Sequence, residues 1–366
     1  MTSNPARVLL RVGVTKQKMI SEKLCLTQDC LVSHQQLVCC QSFCAVLNGK
    51  KILVYCLPPL QLTGHHSDIS VMTVGRDTKP VLCSASADYI IIWDIESCQQ
   101  RAREGKIAVG TIIGTLLGEV IHLSFSVSND RVAVCTDDTV YILNSKVRLE
   151  ETISSLTGHL GSLTSAEFCS WNSNILITTS EDRTFKVWDL QTESVYYQSY
   201  VLSGSPLISV LFLSQTQLFV VGSLDGQIWC FSLTDEKSCR LVTKTDLQKT
   251  EKRHRILSYI TPSQQAFSIV NCVLGVKFCL IFDCLCYPCR NSCWLCIGST
   301  DGLYMLDLAS AELISVLYFK GVCGYIRAGT IHFCHDPIHI MILMIRIVIQ
   351  KVIMISNMFM LKCVKS

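Results

Sequence analysis

Two stretches of the chain decide its fold: SASADYIIIWD at residues 84–94 and TTSEDRTFKVWD at residues 178–189. Each ends in Trp-Asp, and each follows a Leu-Thr-Gly-His tetrapeptide about thirty residues upstream, with its glycine at Gly64 or Gly158. The two glycines are 94 residues apart, which is two periods of 47. A period of this length indicates an array of small structural units that bury their apolar faces against one another.

Weaker copies share the same turn pattern, in which a small residue is followed by any residue, an aspartate and an apolar strand. They are RVAVCTDDTVYILN at 131–144, VVGSLDGQIWCFSL at 220–233 and CIGSTDGLYMLDL at 296–308. Glycine in such a turn supplies the positive φ that a tight hairpin requires. Three short apolar runs between residues 35 and 57 predict the strands of a first unit. The sequence therefore predicts six units, of which two are strong and four are degenerate.

A Gly-His to Trp-Asp unit with this spacing resembles the WD40 repeat, in which one blade contains four antiparallel strands. The resemblance implies an all-β fold, a WD40 β-propeller with six recognisable blades of an expected seven, in a ring that is incomplete or open. We divide the chain accordingly into an N-terminal extension at 1–30, a propeller at 31–319 and a divergent apolar tail at 320–366. A cysteine-rich insertion is expected within the propeller at about 256–291.

The two strong copies predict a hydrogen-bond chain that holds each blade together. The indole N–H donates to a hydroxyl, the hydroxyl donates to one imidazole nitrogen, and the other imidazole nitrogen donates to a carboxylate. The predicted structural tetrads are His65, Ser84, Asp88 and Trp93 in the first copy and His159, Thr178, Asp182 and Trp188 in the second. His66 is a second candidate for the first imidazole, and the sequence leaves that choice open.

A hydroxyl, an imidazole and a carboxylate are also the parts of a nucleophilic triad. A nucleophile must be free to attack and must face an oxyanion site, whereas tryptophan is expected to occupy the hydroxyl in both copies. The chain also has no glycine-rich phosphate loop, no metal-ligand helix and no nucleophile elbow. We therefore expect no enzyme activity, no catalytic residue and no cofactor.

The degenerate copies lack parts of the hydrogen-bond chain. In the copy at 220–233, Val221 stands where Thr178 stands in the strong copy, Phe231 replaces the tryptophan, and no histidine precedes the unit. These units are expected to depend on apolar packing between neighbours, as stacked repeats do.

Composition limits the partners. A net charge of +3 with 17% charged residues does not provide the dense basic face that nucleic acid binding needs. The N-terminus contains no apolar run of the length that a secretory signal requires, so we expect a cytoplasmic protein, with the nucleus left open. The family resemblance implies a non-catalytic scaffold whose partners are other proteins or peptides.

Two features support alternative functions. Cys286, Cys289, Cys293 and Cys296 suggest a metal or redox module, but three residues between two CxxC pairs are few for a zinc site, so no metal is expected. The apolar tail at 338–362 suggests a membrane tether, but Arg346 and Lys351 interrupt it, so a membrane partner is disfavoured.

The basic run at 244–255 is predicted to be a solvated loop.

Overall fold

The computed structural model describes residues 35, 37–40, 42–56, 59–146, 154–213, 217–234, 238–257, 275–278, 294–298 and 302–318. These residues form six antiparallel sheets of four strands each. Every sheet is built from four consecutive strands, and strand order in the sheet follows chain order. The all-β, bladed fold predicted from the repeat is confirmed, because six such sheets correspond to the six predicted units.

The first three sheets follow one another from residue 37 to residue 157. The first contains β1 (Leu37–Cys39), β2 (Cys44–Asn48), β3 (Lys51–Tyr55) and β4 (Leu60–Thr63). The second contains β5 (Ile69–Val74), β6 (Val81–Ser86), β7 (Tyr89–Asp94) and β8 (Thr111–Thr115). The third contains β9 (His122–Phe125), β10 (Arg131–Cys135), β11 (Thr139–Asn144) and β12 (Ser154–Thr157).

The other three sheets continue the pattern to residue 318. The fourth contains β13 (Leu163–Phe168), β14 (Ile175–Ser180), β15 (Phe185–Asp189) and β16 (Ser194–Gln198). The fifth contains β17 (Leu207–Leu213), β18 (Leu218–Ser223), β19 (Gln227–Thr234) and β20 (Ser238–Asp246). The sixth contains β21 (Gly275–Phe278), β22 (Trp294–Gly298), β23 (Gly302–Asp307) and β24 (Glu312–Tyr318).

The sheets stack side by side through their first strands, since β1, β5, β9, β13, β17 and β21 contact one another in succession. Each interface between neighbouring sheets contains a cluster of buried apolar side chains. A polar link joins three of the sheets near these first strands: Arg76 donates to Ser124 Oγ at 3.2 Å and forms an ion pair with Glu167. Neighbouring blades are therefore held mainly by apolar burial, as in other stacked repeats.

The antiparallel order separates two ends of the stack. At one end lie the connectors from the last strand of a sheet to the first strand of the next, at residues 64–68, 116–121, 158–162 and 199–206, together with the middle hairpin of each sheet. We call this the connector end. The first and third turns of each sheet lie at the opposite end.

Two helices interrupt the strands. α1 (Ile95–Arg103) follows the first Trp-Asp, and the Asp94 side chain accepts a hydrogen bond from Ser97 N at 3.0 Å, which caps the helix N-terminus. α2 (Leu247–Leu257) occupies much of the basic run, so the predicted solvated loop at 244–255 is wrong. Asp246 accepts from Lys249 N at 3.0 Å, and Leu247 is fully buried, so a capped helix has an apolar anchor there.

One strand lies inside the range predicted as a cysteine-rich insertion, 256–291. β21 pairs with β22, with Gly275 opposite Gly298, and provides the first strand of the sixth sheet. The residues that flank β21 in that range, the predicted extension at 1–30 and the predicted tail at 320–366 lie outside the described residues or at their margin. No helix among the described residues is long and apolar enough to cross a membrane.

Candidate functional site

The fourth sheet brings the four residues of the second tetrad together. Trp188 Nε1 donates to Thr178 Oγ1 at 2.8 Å, and Thr178 Oγ1 lies 2.8 Å from His159 Nε2. His159 Nδ1 lies 2.8 Å from Asp182 Oδ2. Because the indole can only donate and an ionised carboxylate can only accept, the hydroxyl donates to Nε2 and the Nδ1 proton is donated to Asp182. This series of hydrogen bonds links β15, through β14, to the connector at 158–162.

The first tetrad has one additional member. Trp93 Nε1 donates to Ser84 Oγ at 2.9 Å, and Ser84 Oγ lies 2.7 Å from His65 Nε2. His65 Nδ1 lies 2.5 Å from Ser86 Oγ, and Ser86 in turn donates to Asp88. The direct distance from His65 Nδ1 to Asp88 Oδ1 is 4.0 Å, so Ser86 carries the link that the sequence assigned to a direct bond.

Sequence reasoning missed Ser86, although its place two residues before Asp88 was a usable signal. In the fourth sheet the equivalent Ser180 accepts from the Asp182 backbone N at 3.0 Å instead. The structure also decides between the two candidate histidines. His65 is buried in the tetrad, whereas the His66 side chain is 79% exposed, so His65 is the imidazole of the chain.

Burial controls the protonation of both tetrads. Desolvation lowers the pKa of His65 to about 4, although the Asp88 carboxylate opposes the shift. Desolvation also lowers the pKa of His159, against hydrogen bonding and charge attraction from Asp182. Burial alone would raise the pKa of Asp88, but hydrogen bonds from Ser86 and from the His66 backbone hold it at about 2. Each tetrad therefore contains a neutral imidazole and an ionised carboxylate near neutral pH.

The glycine before each tetrad histidine lies against the tryptophan of the same tetrad. Gly158 has a φ of +145°, and a Cβ there would lie 3.6 Å from Trp188 Cη2. A Cβ on Gly64 would lie 3.0 Å from Trp93 Cη2. The Gly-His pair is thus explained by a connector that passes directly over the indole ring.

The hydroxyls of the tetrads are poorly suited to nucleophilic attack. Ser84 and Thr178 are both fully buried, and each accepts from an indole while donating to an imidazole. Within the described part of the chain, no group of three or more His, Cys, Asp or Glu side chains could hold a metal. Of the candidate zinc ligands, Cys296 lies on β22, and Cys286, Cys289 and Cys293 lie outside the described residues.

Next to the second tetrad lies a group of exposed side chains that sequence reasoning did not identify. Leu160 is 97% exposed, Tyr200 is 67% exposed and Val201 is 50% exposed, and Arg183, in the hairpin bonded to both of their connectors, is also exposed. We call Leu160, Arg183, Tyr200 and Val201 the Leu160 patch. The only signal in the sequence was an apolar residue directly after the tetrad histidine.

Backbone hydrogen bonds join the parts of the Leu160 patch. Asp182 Oδ2, which accepts from the tetrad imidazole, also accepts from Leu160 N at 3.0 Å. The carbonyl of the next residue, Arg183, accepts from Leu202 N at 3.1 Å, which holds the segment that carries Val201. The hairpin that contains Asp182 and Arg183 therefore bonds both connectors, through the Asp182 carboxylate and the Arg183 carbonyl, and holds their exposed residues at the connector end.

The second sheet repeats this arrangement. Asp88 Oδ2 accepts from His66 N at 2.9 Å, and the Asp88 carbonyl accepts from Leu116 N at 3.2 Å. The Leu116 side chain is 82% exposed. The exposed His66 ring contacts Tyr89 edge-on, with ring centroids 5.5 Å apart. In both strong repeats, the aspartate of the tetrad therefore orients exposed connector residues.

Comparison with known proteins gives a family match and several distant relatives. The family described as "WD domain, G-beta repeat" matches residues 150–189, which contain the whole second tetrad. Protein tipD of Dictyostelium discoideum is 30% identical over 133 residues, which cover 35% of this chain and 19% of that protein. Pre-mRNA-splicing factor cwf17 of Schizosaccharomyces pombe is 22% identical over 178 residues, which cover 48% of this chain and 49% of that protein. The chain thus spans about a fifth and about half of these curated relatives.

Proposed function

Starting from a chain that carries a WD40 repeat and folds as four-stranded blades, we propose that this protein is a non-catalytic scaffold. It binds other proteins or peptides at its connector end. The Leu160 patch carries this proposal, because it places exposed apolar side chains on two connectors that one hairpin holds, and exposed apolar patches mark interaction sites. Tyrosine and arginine, both present in the patch, are among the residues that contribute most to binding energy at protein interfaces.

In this proposal the tetrads have a structural role. Each bond of a tetrad contributes about 0.5 to 1.5 kcal/mol net, and an unpaired buried member costs more than its bond is worth. Because Asp182 bonds both His159 and Leu160 N, the same bonds that stabilise the fourth sheet keep the connector in one conformation. A surface that is ordered before binding loses less conformational entropy when a partner docks.

The chemistry of the patch favours a protein partner. Arg183 is accompanied by the exposed Glu181, so the surface lacks the basic density that a phosphate backbone needs. The fully buried hydroxyls of Ser84 and Thr178 support a function without catalysis. Neither a metal or redox function nor a membrane tether gains support from the described residues, and no cofactor is needed.

We also propose a cytoplasmic location, with the nucleus as the alternative. The relative cwf17 is named as a pre-mRNA-splicing factor, which keeps a nuclear location open for this chain. The amino-acid sequences of the two strong repeats also resemble those of WD repeat-containing protein 27. Within the WD-repeat class, we propose that this chain is most similar to that protein.

Proximity labelling in cells tests the scaffold proposal. The full chain is compared with a Leu160→Asp, Tyr200→Asp double variant and with an Ile107→Asp control, whose side chain is 74% exposed at the opposite end. We expect a defined set of neighbours to disappear with the double variant and to remain with the control. Circular dichroism and thermal melting must show that all three chains are folded. An identical set of neighbours for the three chains would contradict the proposal.

A further inference from the structure

A cleft of about 440 Å³ lies between the fourth and fifth sheets, at the end opposite the connectors. Trp171 and Asn172 lie in the turn between β13 and β14, and Gln191 lies in the turn between β15 and β16. The other lining residues that matter to the argument are Asp189, Tyr196 and Leu233. The cleft is therefore separate from the tetrads and from the Leu160 patch.

Two aromatic rings form walls of this cleft, and both are held in place. Trp171 is partly exposed and packs edge-to-face against Phe212, with ring centroids 5.2 Å apart. The Tyr196 hydroxyl donates to the Thr234 carbonyl at 3.4 Å, which ties β16 to the end of β19. Fixed aromatic walls favour a flat or apolar group between them, and their faces attract cations.

Asp189 is the one residue with a formal charge among the described residues that line the cleft. Its Oδ1 accepts from Gln191 N at 2.9 Å, and no described residue donates to its other oxygen. Arg131 contacts the turn that contributes Asn174 to the cleft, where its guanidinium donates to the Ser173 carbonyl at 2.6 Å and to Asn174 Oδ1 at 3.3 Å. The donors of Arg131 are thus directed into the turn, and the carboxylate is left to a ligand.

We propose that this cleft binds an arginine side chain of a peptide partner. A guanidinium is planar, stacks on aromatic rings and donates to a carboxylate in a fork, so it matches two aromatic walls beside one carboxylate better than an ammonium does. Ligand pockets have volumes of about 300 to 1,000 Å³, so the cleft accommodates the side chain with some of the adjoining backbone. The site goes beyond the connector-end scaffold and stands independently of it.

Fluorine NMR of the full chain labelled with 5-fluorotryptophan tests this site. The Trp171 resonance is assigned with Trp171→Phe, and the probe is the peptide acetyl-Gly-Gly-Arg-Gly-Gly-amide. The neutral analogue of this peptide contains citrulline in place of arginine. Asp189→Asn serves as the matched variant, because an asparagine oxygen still accepts from Gln191 N and preserves the turn.

We expect a saturable shift of the Trp171 resonance with the arginine peptide. The dissociation constant should rise about fivefold or more with the citrulline peptide and with Asp189→Asn, since each removes one charge of a partly exposed pair. Equal shifts by the two peptides, an unchanged constant in Asp189→Asn, or no shift at about 10 mM peptide would overturn the site. Leu160→Asp should leave the titration unchanged, so failure here is distinguishable from failure of the scaffold proposal.

Discussion

The fourth and fifth sheets fill the same positions with opposite chemistry. Thr178 and Trp188 belong to a buried hydrogen-bond chain in the fourth sheet. Val221 and Phe231 occupy the corresponding places on β18 and β19. Both sheets nevertheless have four strands in the same order. The comparison teaches that a blade is specified by its strands and its buried volume, and that the polar chain is one of two ways to fill its centre.

The fifth sheet replaces the polar chain with aromatic packing. Phe231 stacks on Phe219 with centroids 5.5 Å apart and lies 4.9 Å from Phe185 of the neighbouring sheet. The hairpin carboxylate persists, because Asp225 accepts from Ser203 at 3.1 Å and also from Ser223. The turn chemistry is therefore retained while the link from indole to imidazole is absent.

The largest effect is expected from the aromatic packing. Phe219→Ala should lower the free energy of unfolding by about 3 to 5 kcal/mol, because it removes a fully buried ring and leaves a cavity. Urea denaturation followed by tryptophan fluorescence measures the loss. The matched control is Val195→Ala on the exposed edge of the fourth sheet, which should change stability by less than about 0.5 kcal/mol. A loss below about 1 kcal/mol for Phe219→Ala would show that the aromatic cluster does not replace the tetrad.

The hairpin carboxylates of the fourth and fifth sheets should differ in how much they contribute to the free energy of unfolding. Asp182→Ala removes the acceptor for His159, Leu160 N and Thr184, and should cost about 2 to 4 kcal/mol, since buried donors lose a charged partner. Asp225→Ala removes two serine hydroxyl bonds and a 3.4 Å bond from Gln227 Nε2, and should cost about 1 kcal/mol. Equal losses in chemical denaturation would contradict the distinction between the sheets.

Lowering the pH should destabilise the two sheets whose tetrads include a histidine. The folded pKa of His65 is about 4, below its ordinary value of 6.5, so the unfolded chain binds more protons between these pH values. The stability that depends on neutral His65 is fully present above pH 6.5 and decreases as the pH falls through this window, by on the order of 2 kcal/mol at pH 5. His159 has a lowered pKa and acts with the same sign.

Urea midpoints of the full chain at pH 7.5 and pH 5 measure this dependence. The control is His65→Gln, which cannot titrate and should reduce the slope of stability against pH. The low pKa of Asp88 contributes only below about pH 4, so it does not interfere. Equal stability at the two pH values would contradict a neutral, buried imidazole in the tetrads.

A smaller effect than that of Phe219→Ala or Asp182→Ala is expected from introducing one polar group into the fifth sheet. Val221→Thr keeps the side-chain volume but buries a hydroxyl in a sheet where Phe231 replaces the tetrad tryptophan and no tetrad histidine precedes it, and should cost about 1 to 2 kcal/mol. Denaturation against the parent chain measures the change. A gain in stability would show that the fifth sheet can accommodate part of the polar chain without its other members.

Much of the fold could be predicted from the sequence, because period and turn chemistry are local. The Trp-Asp and Gly-Ser-x-Asp-Gly patterns predicted the units at residues 84–94, 178–189 and 220–233, and the structure has a sheet at each. α1 and α2 were missed, although Asp94 and Asp246 are usable cap signals, because both follow strand patterns directly.

The candidate site was harder to predict than the fold. The tetrad residues share one repeat, so their spacing was readable, but the relay through Ser86 depends on a difference of about 1 Å in the approach of His65 to Asp88. The Leu160 patch combines connectors from different repeats, and the cleft beside Trp171 lies between two sheets. Such sites arise from packing between units, which no single repeat encodes.

Hydrogen exchange at the amide of Leu160, measured in the parent chain and in Thr178→Val, tests the central claim most directly. That substitution gives the fourth sheet the valine that the fifth sheet has at Val221. It removes the hydrogen bond between residue 178 and His159, while the bonds from His159 to Asp182 and from Leu160 N to Asp182 can still form. If the tetrad orders the connector, exchange at Leu160 should accelerate about tenfold or more, while amides of the fifth sheet stay unchanged. Unchanged exchange at Leu160 in a folded variant would contradict the claim that the tetrad holds the binding surface in place.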